Sequence, residues 1–135
     1  MSSIKAKLSD MNIWTNDELN KIGRAEELQI ASLRRDGTLR NPVTIWVVRI
    51  ANDLFVRAYK GRTSPWFRGA QTRHEGQIQA GGVVKDVTLI EDNDPAINEQ
   101  IDAAYRMKYH RYAASIVDTV LTSEARAATI KLVPR

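Results

Sequence analysis

A short stretch near the middle of the chain combines the residue types that bind a phosphate group. Lys60, Arg62, Thr63 and Ser64 directly precede Pro65, and a serine followed by a proline marks the start of a helix. Phosphate groups are bound by cationic side chains, hydroxyls and the backbone amides at a helix N-terminus. Loop 60–64 is therefore predicted to bind a phosphate. The alternative is a solvated turn between a strand and a helix.

The strand that leads into loop 60–64 carries two further candidates. Arg57 and Tyr59 alternate with Val56 and Ala58, so they extend from one face of that strand. That face could present a cation and an aromatic ring to a bound planar ligand.

Three tyrosines recur at helical spacing nearer the C-terminus. Tyr105, Tyr109 and Tyr112 occupy positions i, i+4 and i+7, so they share one face of a predicted helix. Tyr105 and Tyr109 could line a substrate pocket. The stripe could equally pack into the protein core, with its hydroxyls reaching the surface.

Residues that define several other catalytic classes are missing from the sequence. There is no cysteine, which excludes thiol nucleophiles, disulfides and cysteine-bound zinc or iron–sulfur clusters. His74 and His110 stand alone, without metal-ligand spacing, and the sequence contains neither a nucleophile elbow nor a nucleotidase-type phosphate loop. We therefore predict no metal site and no side-chain catalytic residue.

Charge is unevenly distributed along the chain. Residues 33–74 contain nine arginines and lysines against two acidic residues, whereas residues 75–103 contain seven acidic residues and one lysine. The basic block could dock an anionic ligand, or its arginines could pair with the acidic segment that follows. A nucleic-acid partner is a further hypothesis, but the acidic segment and the lack of an RNA-binding aromatic motif count against it.

Capping and turn residues divide the chain into short elements. Residues 15–18 form a predicted capping box for a first helix ending at Gly23, and Asp94 followed by Pro95 opens a longer helix reaching about Tyr112. A further helical stretch is predicted over residues 115–121. Six strands are predicted at 27–33, 43–50, 54–58, 77–80, 86–90 and 128–132, with Asn52 and Asp53 as the hairpin turn after the second.

These elements predict a small, mostly antiparallel six-stranded barrel of the α+β class. A short helix precedes the barrel, and a longer helix lies near the C-terminus. The 135 residues predict a single domain over residues 1–135. Because no apolar stretch resembles a signal peptide or a membrane span, we expect a soluble, cytoplasmic protein without a membrane partner.

Two motifs that flank the predicted hairpin resemble those of the flavin and deazaflavin split-barrel proteins. RDGTLRNPV occupies residues 35–43 and YKGRTSPWF occupies residues 59–67. Their order is similar to that in the pyridoxamine-phosphate-oxidase-like and deazaflavin-dependent nitroreductase-like families. The whole chain resembles a bacterial family of unknown function grouped with these barrels. One departure is Arg68-Gly69-Ala70, where the deazaflavin group usually has an asparagine–leucine pair.

The resemblance implies a split β-barrel that binds FMN or a deazaflavin, whose ring would transfer hydride to a small organic substrate. It also implies a homodimer with the cofactor at its interface, which agrees with the apolar character of both faces of residues 43–50. The implied cofactor-binding residues are Arg40, Thr44, Arg57, Tyr59, Lys60, Arg62, Thr63, Ser64 and Trp66.

We expect Arg40, Arg57, Tyr59, Lys60 and Trp66 to converge on one cavity. We also expect Arg62→Ala to weaken FMN binding about tenfold or more, because each charge-assisted hydrogen bond contributes about 1.5 to 3 kcal/mol. A protein that carries a flavin, haem or small anionic ligand without turnover is the main alternative to an oxidoreductase.

Overall fold

The computed structural model describes residues 13–135, and these form one antiparallel sheet that curls into an almost closed barrel. The sheet order is β2-β1-β5-β6-β7-β4-β3, and each neighbouring pair is antiparallel. The strands are β1 (Leu28–Ser32), β2 (Val43–Ile45), β3 (Val47–Ile50), β4 (Asp53–Arg57), β5 (Glu75–Ala80), β6 (Val83–Glu91) and β7 (Thr129–Pro134). The α+β class and the barrel are confirmed.

The described residues contain seven strands rather than the predicted six, because the chain changes partner at Trp46. The residues before Trp46 pair with β1, whereas those after it pair with β4. A strand that moves between neighbours must bend, which interrupts the hydrogen-bond ladder. Trp46 therefore connects the two ends of the sheet order and closes most of the barrel.

Helices lie outside the barrel wall and at its ends. They are α1 (Asn16–Arg24), α2 (Pro65–Arg73), α3 (Pro95–Lys108), α4 (Ala114–Val117), a 3-10 turn (Asp118–Val120) and α5 (Ser123–Arg126). The predicted capping box forms, since Thr15 accepts from the amide of Glu18 and the Glu18 carboxylate accepts from the amide of Thr15. The longer helix ends at Lys108, earlier than predicted. None of the described helices is long and apolar enough to cross a membrane.

The hairpin between β3 and β4 differs from the prediction by one residue. Ile50 pairs with Asp53, so Ala51 and Asn52 form the turn. Ala51 takes the left-handed conformation, with φ of 53°. The pairing of Asp53 in the ladder excludes it from the two-residue loop.

Residues 45–50 are covered on alternating sides by two separate cores. Val47 packs inside the barrel with Leu28 and Ile78. Val48 faces outward and packs with Phe55 and helix α3. The apolar character of both faces is thus explained within one chain. It therefore does not support a homodimer, contrary to the expectation from sequence.

Candidate functional site

Helix α2 and the segment before β2 enclose a polar groove of about 430 Å³. We call it the arginine groove because three arginines line it and no acidic residue does. Its lining residues are Arg35, Arg40, Thr63, Pro65, Arg68, Gly69 and Thr72. This combination of cations and hydroxyls is suited to an anionic ligand.

The three groove arginines differ from the other arginines nearby. Over residues 13–135, Arg35, Arg40 and Arg68 form no side-chain salt bridge or hydrogen bond. In contrast, Arg34 donates to the Leu39 carbonyl at 2.7 Å and Arg73 donates to the Arg35 carbonyl at 3.0 Å. The groove therefore carries positive charge that no side chain within residues 13–135 neutralises.

Because Gly69 has no side chain, Ser32 and Arg40 pack closely against helix α2. A Cβ atom at Gly69 would lie 2.4 Å from Ser32 Oγ and 2.8 Å from Arg40 Nε. Ser32 is completely buried on β1, and its Oγ has no hydrogen-bond partner among the described residues. Ser32 itself does not line the groove, so the lack of a side chain at Gly69 serves the close packing of α2 against β1 and Arg40.

One end of the arginine groove is the beginning of helix α2. Pro65 is the first residue of the helix, and Thr63 lies two residues before it. The Ser64 side chain makes no capping hydrogen bond, so the predicted serine cap is wrong in this respect. The amides of the first turn consequently have no side-chain cap, and such amides favour an anion.

Only part of loop 60–64 reaches the arginine groove. Thr63 lines it, whereas Arg62 is engaged elsewhere. Arg62 Nη1 lies 2.8 Å from Glu91 Oε1 and 3.0 Å from the Ala127 carbonyl oxygen, and its guanidinium stacks over Phe67. Lys60 lies over the Tyr59 ring and lines neither this groove nor the pocket described next.

A second, less polar cavity of about 180 Å³ lies beside Trp46, where the barrel strands change partner. We call it the aromatic pocket. It is lined by Thr44, Ile45, Trp46, Arg57, Tyr59, Ile116, Thr119 and Val120. Trp46 is half-buried, and one face of its indole stacks on Tyr109 with ring centres 3.9 Å apart and planes 4° apart. This stacking fixes the orientation of the indole at the pocket wall.

Arg57 lines the aromatic pocket but is not available to a ligand. Its side chain is fully buried, and Nη1 lies 2.5 Å from Asp102 Oδ1. The remaining hydrogen bonds of the guanidinium reach Thr129 Oγ1, the Val120 carbonyl, and the carbonyl and side-chain oxygen of Asn98. All five N–H donors of an arginine are thereby used. The expectation that Arg57 binds a cofactor is therefore corrected. The Arg57 side chain instead joins β4 to β7 and α3.

Three other predicted site residues belong to the cores. Trp66 is buried inside the barrel. Tyr105 and Tyr109 pack in the second core, outside the barrel wall. Burial raises the pKa of both tyrosines, so their hydroxyls stay protonated. Within one chain, Tyr105 and Tyr109 therefore pack in the core, and Tyr109 supports the face of Trp46 that is turned away from the pocket.

The predicted convergence on one cavity is wrong for a single chain, since the candidates separate into two cavities and the core. Arg40 lines the arginine groove, whereas Arg57 and Tyr59 line the aromatic pocket. The cavities are nevertheless close. Arg40 and Thr63 line the groove, and each lies four residues in sequence from a residue of the aromatic pocket, Thr44 and Tyr59 respectively. Four residues of extended chain span no more than about 14 Å, which limits the distance between the two cavities.

The contribution of helix α2 to the groove was not predicted from the sequence. Pro65, Arg68, Gly69 and Thr72 lie at positions i, i+3, i+4 and i+7, so they share one helix face. A polar stripe with a glycine at its centre is a recognisable sign of close approach by another group. That spacing could have indicated the groove before the structure was known.

We predict that Gly69→Ala weakens the binding of inorganic phosphate about tenfold and lowers stability by about 1 to 3 kcal/mol. The added methyl group would clash with the buried Ser32 hydroxyl and displace the Arg40 side chain, and this cost exceeds the preference of the helix for alanine over glycine. Calorimetric titration with phosphate, together with thermal unfolding, measures both effects. An unchanged phosphate affinity would contradict the position assigned to Arg40.

Comparison with known proteins places this chain in a family. Residues 18–132 match a family model described as "Uncharacterized protein conserved in bacteria (DUF2255)". A search of curated proteins finds no match.

Solved structures share the fold at low sequence identity. A candidate pyridoxamine 5'-phosphate oxidase of Listeria innocua is 12% identical, with a TM-score of 0.62 over 89% of this chain and 92% of that one. The haem storage protein HutZ of Vibrio cholerae is 13% identical, with a TM-score of 0.59 over 89% of each chain. An F420-H2-dependent reductase is 18% identical, with a TM-score of 0.58 over 80% of this chain and 93% of that one. The likeness establishes the fold as a split barrel.

Proposed function

The chain belongs to the bacterial family DUF2255, and from its split-barrel fold and its cavities we propose that it binds a flavin-type cofactor and acts as an oxidoreductase on a small organic substrate. The observation that carries the proposal is the arginine groove, whose three cations have no partner within residues 13–135, beside an aromatic pocket. Solved structures with this fold include a reductase that uses F420-H2.

The arginine groove would hold the cofactor phosphate. Arg40 and Arg68 would donate charge-assisted hydrogen bonds to the phosphate oxygens, and Thr63 would add a hydroxyl. The uncapped first turn of α2 contributes the positive end of a helix dipole at the same place.

The aromatic pocket would hold one edge of the cofactor ring. Its apolar lining, Ile45, Ile116 and Val120, would exclude water, and Trp46 and Tyr59 would orient a planar group. Thr44 Oγ1 accepts a hydrogen bond from Gln29 Nε2 at 2.7 Å, so the hydroxyl proton of Thr44 remains to be donated to a ring heteroatom. A bound flavin or deazaflavin would supply the hydride transfer, for which the protein needs no catalytic acid or base.

One chain encloses this pocket only partly. Its volume of about 180 Å³ is below the range of about 300 to 1,000 Å³ that is usual for cofactor sites. Large apolar side chains in and beside the pocket are exposed: Tyr59 is 53% and Ile116 is 47% accessible, and Val43 beside them is 38% accessible. A second copy of the chain would complete the wall, so we propose a homodimer with the cofactor near its interface.

The homodimer has a direct test in solution. We expect multi-angle light scattering to give twice the chain mass at micromolar concentration, and Tyr59→Glu to shift the protein toward monomer by placing a charge in an apolar interface. Met107→Glu is the matched control, since Met107 is 79% exposed and lines neither cavity. A monomeric wild type would contradict the proposed interface.

The cofactor proposal is tested by titrating the protein with FMN, riboflavin and a deazaflavin, followed by fluorescence. We expect FMN to bind about tenfold or more tightly than riboflavin, because only FMN offers a phosphate to the groove. Absence of binding by all three compounds would overturn the proposal. If the cofactor binds but no electron donor reduces it, the protein would be a cofactor carrier without turnover. The lack of a free acid or base among the lining residues of the aromatic pocket is also compatible with such a carrier.

A further inference from the structure

We propose that the arginine groove accepts two successive anionic groups, so that its ligand carries a diphosphate rather than a single phosphate. The inference rests on the proposed function for the identity of the ligand as a flavin. It rests on the groove alone for the number of phosphates. The groove length and the position of Arg35 support it independently.

The groove is longer than one phosphate requires. Its lining on helix α2 extends from Pro65 to Thr72, which corresponds to about 10 Å along the helix axis. A phosphate at the first turn of the helix, beside Thr63, would occupy only one end. Arg40 Nε lies at Gly69, halfway along, where it can serve a group on either side.

Arg35 belongs to the far end of the groove. The Arg73 side chain, at the last residue of α2, donates to the carbonyl oxygens of Arg34 at 3.4 Å and Arg35 at 3.0 Å. These bonds hold the backbone of Arg35 beside the C-terminal end of the helix. Arg35 therefore supplies donors at this end of the groove, separate from the helix start, whereas the Thr72 hydroxyl already donates to the Arg68 carbonyl at 3.0 Å.

A diphosphate fits the way charge is distributed along the groove. A phosphate monoester places about −1.5 to −2 at one point at neutral pH, whereas the diphosphate of FAD carries one negative charge on each of its two phosphates. The groove places Arg35 apart from the start of the helix, and no carboxylate lines it. Two adjacent phosphates would therefore give each end of the groove an anion.

The test compares ligands that differ in the number of phosphates, using isothermal titration calorimetry. Wild type is expected to bind FAD about tenfold or more tightly than FMN, and pyrophosphate about tenfold or more tightly than inorganic phosphate. Arg35→Ala should remove most of both differences while leaving FMN affinity within about twofold. Arg24→Ala, which removes an exposed arginine at the end of α1, should change none of these affinities.

The outcomes separate this inference from the proposed function. Equal affinities of wild type for FMN and FAD, or equal losses of both with Arg35→Ala, would overturn the two-anion groove and leave flavin binding intact. If neither flavin binds but pyrophosphate binds more tightly than phosphate through Arg35, the groove stands and the flavin proposal falls. If ADP matches FAD, the groove recognises a nucleoside diphosphate without the flavin ring. Unfolding curves confirm that both variants are folded.

Discussion

Replacing Asp102 by alanine is expected to lower the free energy of unfolding by about 3 to 5 kcal/mol, because it would leave the Arg57 guanidinium buried without its counter-charge. The two side chains are almost inaccessible, and Arg57 Nη1 lies 2.5 Å from Asp102 Oδ1. Asp102 also accepts from Arg126, whose side chain is 46% accessible. No other carboxylate contacts Arg57 within residues 13–135, so nothing there could replace Asp102.

Urea-induced unfolding of wild type, Asp102→Ala and Arg126→Ala measures this effect. Arg126→Ala is the matched control, because it removes the half-exposed partner and keeps the buried pair; we expect it to cost about 1 kcal/mol or less. Similar losses for both variants would show that the buried pair is not the dominant contact of Asp102.

The same carboxyl group predicts how stability depends on pH. Burial raises the pKa of Asp102, but the hydrogen bonds and charges of Arg126 and Arg57 together lower it by a larger amount. The pKa of Asp102 therefore lies below its ordinary value of 3.8. A carboxyl with a lowered folded-state pKa stabilises the fold above the unfolded pKa, and this stabilisation is lost as pH falls through the folded pKa. Wild type should therefore lose more stability below about pH 4 than Asp102→Asn does.

The double variant Arg40→Ala, Arg68→Ala is expected to bind FMN about a hundredfold more weakly than wild type. Each arginine would contribute a charge-assisted hydrogen bond of about 1.5 to 3 kcal/mol, and about 1.4 kcal/mol corresponds to a tenfold change in affinity. Riboflavin affinity should change by no more than about twofold, because riboflavin has no phosphate. Both residues are exposed, so the fold should be retained.

Arg62→Ala is the matched control for this double variant. Its guanidinium is bonded to Glu91 and to the Ala127 carbonyl, so we expect FMN affinity to stay within about twofold of wild type. The sequence-based prediction was a tenfold loss for this substitution. If Arg62→Ala weakens FMN as strongly as the double variant, the phosphate lies at loop 60–64 rather than in the arginine groove.

Local sequence signals were enough to predict most secondary structure and the class of the fold. The capping box at Thr15 and Glu18 and the proline at the start of α2 are determined by residues three or fewer positions apart. Strand alternation and turn residues act over similarly short distances, so they predicted a small antiparallel barrel. The family resemblance came from two motifs with the same local character.

The structure alone decided which charged residues are free to bind a ligand. The sequence left two alternatives for the basic block. Pairing with the acidic segment is confirmed for two arginines, and binding of an anionic ligand stays a prediction for the groove arginines. Arg57 pairs with Asp102, 45 residues away, and Arg62 pairs with Glu91, 29 residues away, both in the acidic segment. The groove arginines have no such partner over residues 13–135. Ion pairing depends on distances of a few ångströms between side chains, and those distances are established only when the barrel brings remote segments together.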